Sequence, residues 1–324
     1  MNDRAVLRSL SDNIEKAIVG KRAAVEAVVI ALLAGGNILL EDVPGVGKTT
    51  LAQALTRSVG CGFTRIQFTP DTLPSDITGV SVYNMHTGTF DYSPGLLMNN
   101  IILADEINRT SPKTQASLLE AMEERQVTVD GKTYPLPAPF MVIATQNPID
   151  YLGTYNLPEA QLDRFLMKIA IGYPSAEDEK TMVQRHIKGN AVGGLGPVTD
   201  GAAILHMQEQ VKDVTVDQDL IAYVVRITGD TRKTPSLTLG ASPRATLALI
   251  RVSQAAAYFY GRDYVIPDDI IQMAPSVLAH RLILSSEARV NRMTPEKILE
   301  NILSRIKVPV LEASDRAAMK KGGV

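Results

Sequence analysis

At 324 residues, 45% of them hydrophobic and with a formal net charge of −2, the chain has length for two domains and apolar content for a substantial core, but no bulk field of the kind a dedicated nucleic-acid or membrane-surface binder carries. Its one cysteine, Cys61, excludes an internal disulfide framework and suits a reducing cytosol, while His86, His186, His206 and His280 lack metal-ligand spacing. The apolar stretch 27–34 is too short to span a bilayer and the first residues alternate charge with apolar positions, unlike a signal-peptide core, so a cytoplasmic protein without a membrane segment is expected.

Val6, Leu7, Leu10, Ile14 and Ile18 recur at helical spacing and predict an amphipathic helix over 4–18. Val19-Gly20 interrupts it, and a second helix runs to about Leu33 before Gly35-Gly36. Asn37-Ile38-Leu39-Leu40 reads as a buried strand and Leu51-Ala52-Gln53-Ala54-Leu55 as a helix; between them lies Glu41-Asp42-Val43-Pro44-Gly45-Val46-Gly47-Lys48-Thr49-Thr50. Strand, Gly-rich loop, Lys-Thr and helix together build a triphosphate cradle. The loop's backbone N–H groups can wrap a polyphosphate, and the helix N-terminus adds favourable partial charge. In such a cradle Lys48 can reach the β- and γ-phosphates and Thr49 can ligate Mg²⁺. Asp42 departs from the G-x-x-x-x-G-K-[ST] pattern, standing where its first glycine would be.

Four further short apolar runs, 64–68, 101–105, 141–145 and 166–171, alternate with helical patterns and predict a covered parallel sheet. Residues 69–100, punctuated by Pro70, Pro74, Gly79, Gly88 and Gly95, are too long for a plain connection and read as a functional insertion. The stretch 126–134 alternates around Asp130-Gly131, a strong hairpin signal. The sheet domain is expected to end near Tyr173-Pro174, with Ser175 as an N-cap and Asp178 in the first turn of the next helix. Beyond it the pattern is helical, near 176–188, 202–211, 218–229, 243–260, 267–282 and 294–306, with a Gly-rich loop at 189–201 and no internal repeat.

Ile101-Ile102-Leu103-Ala104 ends in two adjacent carboxylates, Asp105 and Glu106. Ligands of open parallel sheets bind outside the carboxyl ends of the strands, which puts this pair beside the phosphate loop. There Asp105 would hold Mg²⁺ and Glu106 would polarise the attacking water as general base. Asn147, ahead of Pro148, could position the same water or touch the γ-phosphate, or serve as a turn residue before the proline. Arg164, just before the fifth strand, could pair locally with Asp163 or Glu159, or insert into a neighbouring subunit's nucleotide site as an arginine finger. Ser242-Pro243 is a good helix start, yet Arg244 follows in a first turn where the helix dipole disfavours a cation. A shared anion in front of both would make sense of that placement; a solvated arginine is the alternative.

In this order the motifs resemble the AAA+ superfamily, and the wording LLEDVPGVGKT, LADEINRTSPKTQASLLEAMEERQVTVDG, ATQNP, LPEAQLDRF and GASPRA resembles its MoxR family. The resemblance implies an α/β fold: a P-loop AAA+ core with a parallel five-stranded sheet flanked by helices (1–174), followed by an all-helical lid domain (175–324). It makes Pro44, Gly45, Val46, Gly47, Lys48, Thr49 and Thr50 the ATP/ADP-binding loop and Val19-Gly20 the loop beside the adenine. Thr49 and Asp105 become the Mg²⁺ residues. Glu106, Asn147 as first sensor, Arg164 as finger and Arg244 as second sensor become the catalytic set. The insertion at 69–100 and the hairpin near 126–136 match the helix-2 insert and pre-sensor-1 hairpin of one clade. A ring, hexameric in the family, would remodel or mature protein clients, possible clients including proteins with von Willebrand factor A domains.

An intact Asp105-Glu106 pair favours hydrolysis over a non-hydrolysing scaffold, and no Asn-Lys-x-Asp guanine-reading motif is present. The alternative is a DNA-associated motor of the same clade, using the hairpin on DNA. Lys132 beside the turn supplies little of the phosphate contact such binding needs, and Glu123, Glu124 and Asp130 leave the region mixed in charge.

Overall fold

The computed structural model describes residues 3–146, 155, 157–188 and 192–309. By contacts the described chain divides into two compact units, one holding the residues up to Asp213 together with Tyr258–Gly261, the other Val214–Ala257 and the residues from Arg262 onward.

The first unit opens with α1 (Asp3–Glu15) and α2 (Arg22–Leu33). Val6, Leu7, Leu10, Ile14 and Ile18, the stripe read from the sequence, are all buried. The sheet is built from β1 (Ile38–Glu41), β2 (Phe63–Gln67), β3 (Ile101–Asp105), β4 (Met141–Gln146) and β5 (Met167–Ile169). It is parallel throughout, in the order β2-β3-β4-β1-β5. The near-continuous burial of β1, β3 and β4 fits a sheet covered on both faces. Alternation divides the residues between the faces. Leu39, Ile66, Ile102, Ala104, Val142 and Ala144 share one cluster with Leu118, Leu119 and Met122 of α4 (Pro112–Glu124), while α1 packs on α2 and on α3 (Lys48–Val59).

The long segment between β2 and β3 is a short helix, Pro74–Thr78, and an antiparallel hairpin, Gly79–Asn84 with Thr89–Pro94. The second expected hairpin pairs Gln126–Val129 with Lys132–Pro135. Asp130 (φ +48°) and Gly131 (φ +76°) both take the left-handed conformation that this tight turn demands. Tyr92 and Tyr134 stack at 3.8 Å and tie the two hairpins together.

The first compact unit runs on past Pro174 to Asp213. Residues of α5 (Ala176–Lys188), α6 (Gly201–Lys212) and the loop between them pack on the sheet unit. Asn13 Nδ2 donates to Gly196 O (3.0 Å), Gln208 Nε2 to Leu32 O (2.6 Å), and Val198 N to Ser58 O (2.8 Å). Periodicity places helices but says nothing of which core they join.

The second unit carries α7 (Gln218–Lys233), α8 (Pro243–Phe259, its last residues within the first unit), α9 (Pro267–Leu278) and α10 (Pro295–Arg305). It also contains a two-stranded ribbon, Leu237–Leu239 with Ile283–Leu284, where only helices were expected. Strands this short present no alternation to read. A bidentate pair from Arg262 to Asp269, both contacts at 2.6 Å, fixes the start of α9.

A β-carbon on Gly95 would stand 2.3 Å from both the Gly79 nitrogen and the Ile77 carbonyl oxygen, backbone atoms that cannot rotate away. Gly95→Ala should therefore cost about 1–3 kcal/mol, read as a lower urea midpoint with unchanged helix content. An unchanged midpoint would contradict this close packing.

Candidate nucleotide site

Register brings the chemistry to one rim. Gln67 lies level with Asp105, and Leu40 with both Thr145 and Ile169. Ala104 is level with Ala144, so the next residues, Asp105 and Thr145, are neighbours as well. The phosphate loop leaves the sheet one residue beyond this row.

The loop has the backbone of a cradle. Gly45 (φ +86°) and Gly47 (φ +97°) lie in the left-handed region, and a β-carbon on Gly45 would meet nothing within 4 Å. Gly47 precedes α3 with no side chain capping the helix, so the first N–H groups at Lys48, Thr49 and Thr50 are aimed outward for an anion. Pro44 and Gly45 are exposed, and Val46 is half-buried. Lys48 Nζ donates to Asp42 O at 2.6 Å. Burial lowers the Lys48 ammonium from its ordinary pKa, against the opposing fields of Asp42, Asp105, Glu106 and Glu41. Lysine and carboxylates thus share one site.

Asp105 and Glu106 are held in detail. Thr145 Oγ1 donates to Asp105 Oδ1 (2.6 Å) and accepts from the Glu106 N–H (2.9 Å). The Arg65 guanidinium grips Asp105 Oδ2 at 2.6 and 3.2 Å. Glu106 Oε2 accepts from Gln67 Nε2 and Arg109 Nη1, each at 2.9 Å. Glu106 has φ +56°, an uncommon conformation for a residue with a side chain, and it turns the carboxylate off the strand line. Gln115, fully buried, donates to Ile107 O (3.1 Å), Thr110 O (3.3 Å) and Tyr155 O (3.1 Å), fixing the turn that follows.

The residues suit nucleotide and metal. Among the described residues no group of three or more His, Cys, Asp or Glu could hold an ion alone. Magnesium bound through substrate phosphates needs only one or two protein oxygens, which Thr49 and Asp105 can offer. Beside the cradle lies an open cavity of about 840 Å³. Val19 and Thr50 line it with Met182, Val183 and Ile187 of α5, and Lys16, Arg185 and His186 add polar groups, an apolar slot with a few polar contacts of the kind that takes a nucleoside. Gly20 (φ +69°) lies so close to the Asp178 carboxylate that a β-carbon there would be 2.2 Å away.

Three further residues were expected at the site. Arg164 follows the turn after Glu159–Leu162, half-buried, and pairs with Glu123 Oε2 at 3.3 Å. Arg244 is exposed on the first turn of α8 in the second unit. Ser242 Oγ accepts from Ala245 N (3.1 Å), and Thr231 and Arg232 of α7 anchor Ala241, so the start of the helix is rigidly set. Asn147 lies outside the described residues.

Arg65, Gln67, Arg109 and Thr145 carry no motif that marks them in the sequence. The available signal was Arg65 and Gln67, two polar residues on one face at the carboxyl end of β2; Thr145 looked like any strand residue. Because Thr145 is 1% exposed, Thr145→Val should leave two half-buried partners, Asp105 and the Glu106 N–H, without this bond and cost about 1 kcal/mol by urea unfolding, with Thr145→Ser restoring most of it. Equal stability of the valine variant would show the bridge to be dispensable.

Residues 37–167 match a family model described as the ATPase family associated with various cellular activities (AAA), and residues 229–302 match an AAA lid domain. The chain is 52% identical to the uncharacterized protein YeaC of Bacillus subtilis, over 94% of this chain and 95% of that protein. It is 42% identical to the Chaperone MoxR1 of Mycobacterium tuberculosis, over 93% and 81% respectively. It is 30% identical to the Protein MoxR of Methylorubrum extorquens, over 88% and 90%. A crystal structure from Cytophaga hutchinsonii, described as that of a candidate ATPase, superposes with a TM-score of 0.88 at 39% identity, covering 95% of this chain and 96% of the other.

Proposed function

This chain belongs to the MoxR family of AAA+ ATPases, and on that premise we propose that it hydrolyses ATP to ADP and phosphate and couples the cycle to remodelling or maturation of partner protein complexes. The observation that carries the reading is the row across the sheet rim, where Lys48, Asp105, Glu106 and Thr145 converge. The apolar slot lined by Val19 and α5 supports an adenine nucleotide.

In this reading the loop from Pro44 to Thr50 binds the polyphosphate through its N–H groups, and Lys48 exchanges its bond to Asp42 O for a phosphate oxygen. Thr49 and Asp105 would hold Mg²⁺, which would neutralise charge developing on the phosphates. Glu106, held by Gln67 and Arg109, takes a proton from the attacking water. Asn147 orients that water. Arg164 leaves Glu123 to reach the neighbour's nucleotide, and Arg244 senses it from the lid, for which we take residues 175–324. Such a site is completed between copies, so the working form is a ring, hexameric by family analogy. Protein clients, possible examples carrying von Willebrand factor A domains, complete the proposal, with the cytoplasm as its setting. No helix among the described residues is long and apolar enough to cross a membrane. A DNA-tracking role draws only on exposed Lys132 beside the hairpin turn.

Lys48→Ala should abolish ADP binding in calorimetry; undiminished affinity would sink the cradle assignment. Glu106→Gln should bind ATP normally and lose about 10²–10⁴-fold in turnover; wild-type turnover would remove Glu106 from the chemistry. Arg164→Ala should be inactive alone but regain activity when mixed with Lys48→Ala protein. No rescue would leave Arg164 as the local partner of Glu123.

A further inference from the structure

Asp42 occupies the position where the general phosphate-loop pattern has its first glycine, and its side chain is fully engaged. Oδ2 accepts from the N–H groups of Ile171 (2.8 Å) and Gly172 (2.6 Å), and Oδ1 from the N–H of Val43 (2.8 Å). Gly172, at φ +69°, helps turn two consecutive N–H groups onto one oxygen. That concavity is a backbone nest of the sort that binds anions, and here the phosphate loop's own carboxylate fills it. The carbonyl of the same residue accepts from Lys48 Nζ at 2.6 Å.

The segment that Asp42 grips leads directly to the wall of the nucleoside slot. Tyr173 O, the next acceptor along, takes Lys21 Nζ at 2.6 Å. Ser175 and Asp178 then start α5 through reciprocal bonds of 2.7 and 3.2 Å. Farther along the helix, Arg185 Nη1 donates to Lys16 O at 2.7 Å, and Met182, Val183 and Ile187 line the slot. One residue therefore touches the cradle's lysine through its backbone and the root of the slot's wall through its carboxylate.

We infer that Asp42 is a positioning residue that couples the phosphate cradle to the helix lining the nucleoside slot. The inference rests on the nucleotide-binding reading above. A phosphate oxygen at Lys48 draws on the same ammonium that bonds Asp42 O, so an occupant of the cradle acts on the same residue that anchors residues 171 and 172. A glycine at 42 would still allow the loop's shape but would remove the strap.

Inorganic tripolyphosphate separates the two halves, because it fills the cradle and carries no nucleoside. In the full-length wild-type chain, its addition should slow amide exchange both at 45–50 and across 171–188. In Asp42→Gly the response at 45–50 should remain and that at 171–188 should vanish. ADP affinity should fall about tenfold, while tripolyphosphate affinity holds within about twofold. Asp42→Asn, which keeps one acceptor oxygen, should fall between the two. A glycine variant that keeps the response at 171–188, or that loses affinity for both ligands in equal proportion, would overturn the coupling. A wild-type chain that bound neither ligand would instead overturn the nucleotide reading, and this inference with it.

Discussion

The parallel register of the sheet is the constraint on which the site depends. Gln67, Asp105, Thr145 and Leu40 lie at one level only because β2, β3, β4 and β1 run in the same direction in that order. A shift of one residue on β4 would turn Thr145 to the opposite face and bury a neighbour in its place. Asp105 and the Glu106 N–H would then lose their shared partner. The apolar alternation that packs Ile102, Ala104, Val142 and Ala144 under α4 is therefore also what aligns the polar rim.

Charge at that rim is balanced rather than simply accumulated. Asp105 and Glu106 are adjacent carboxylates. Arg65 and Arg109 each take one of them, and Gln67 adds a neutral donor. Lys48 sits partly buried, where desolvation works against its charge and the surrounding carboxylates work for it. Binding of an anion in the cradle adds a further counter-charge to the lysine.

The two hairpins inserted around this core differ in character. The one at 126–135 is short and tied down by the stack of Tyr134 on Tyr92. The other displays Tyr83, Met85 and Phe90 to solvent, Met85 at 88% exposure. These apolar side chains stand on an insertion rather than in the core of the sheet unit.

Much of this protein was legible in the amino-acid string. The helix stripe from Val6 to Ile18, the five strand positions, the Asp130-Gly131 turn and the loop from Pro44 to Thr50 each depend on local rules: apolar period, turn conformation, and glycine's access to positive φ. The carboxylates Asp105 and Glu106 could be read because they end an apolar run. What the string left open depends on contacts distant along the chain. The partners of those carboxylates come from β2, from β4 and from the turn after β3. The segment from 176 to 212 joins the sheet unit through bonds to α1, α2 and α3, two of them from the loop between its helices. Asp42 reads as a defect in a motif until Ile171 and Gly172 are beside it. Local sequence sets backbone conformation and apolar faces, whereas the pairing of polar groups is settled only when the sheet closes and burial makes each unmet donor or acceptor costly.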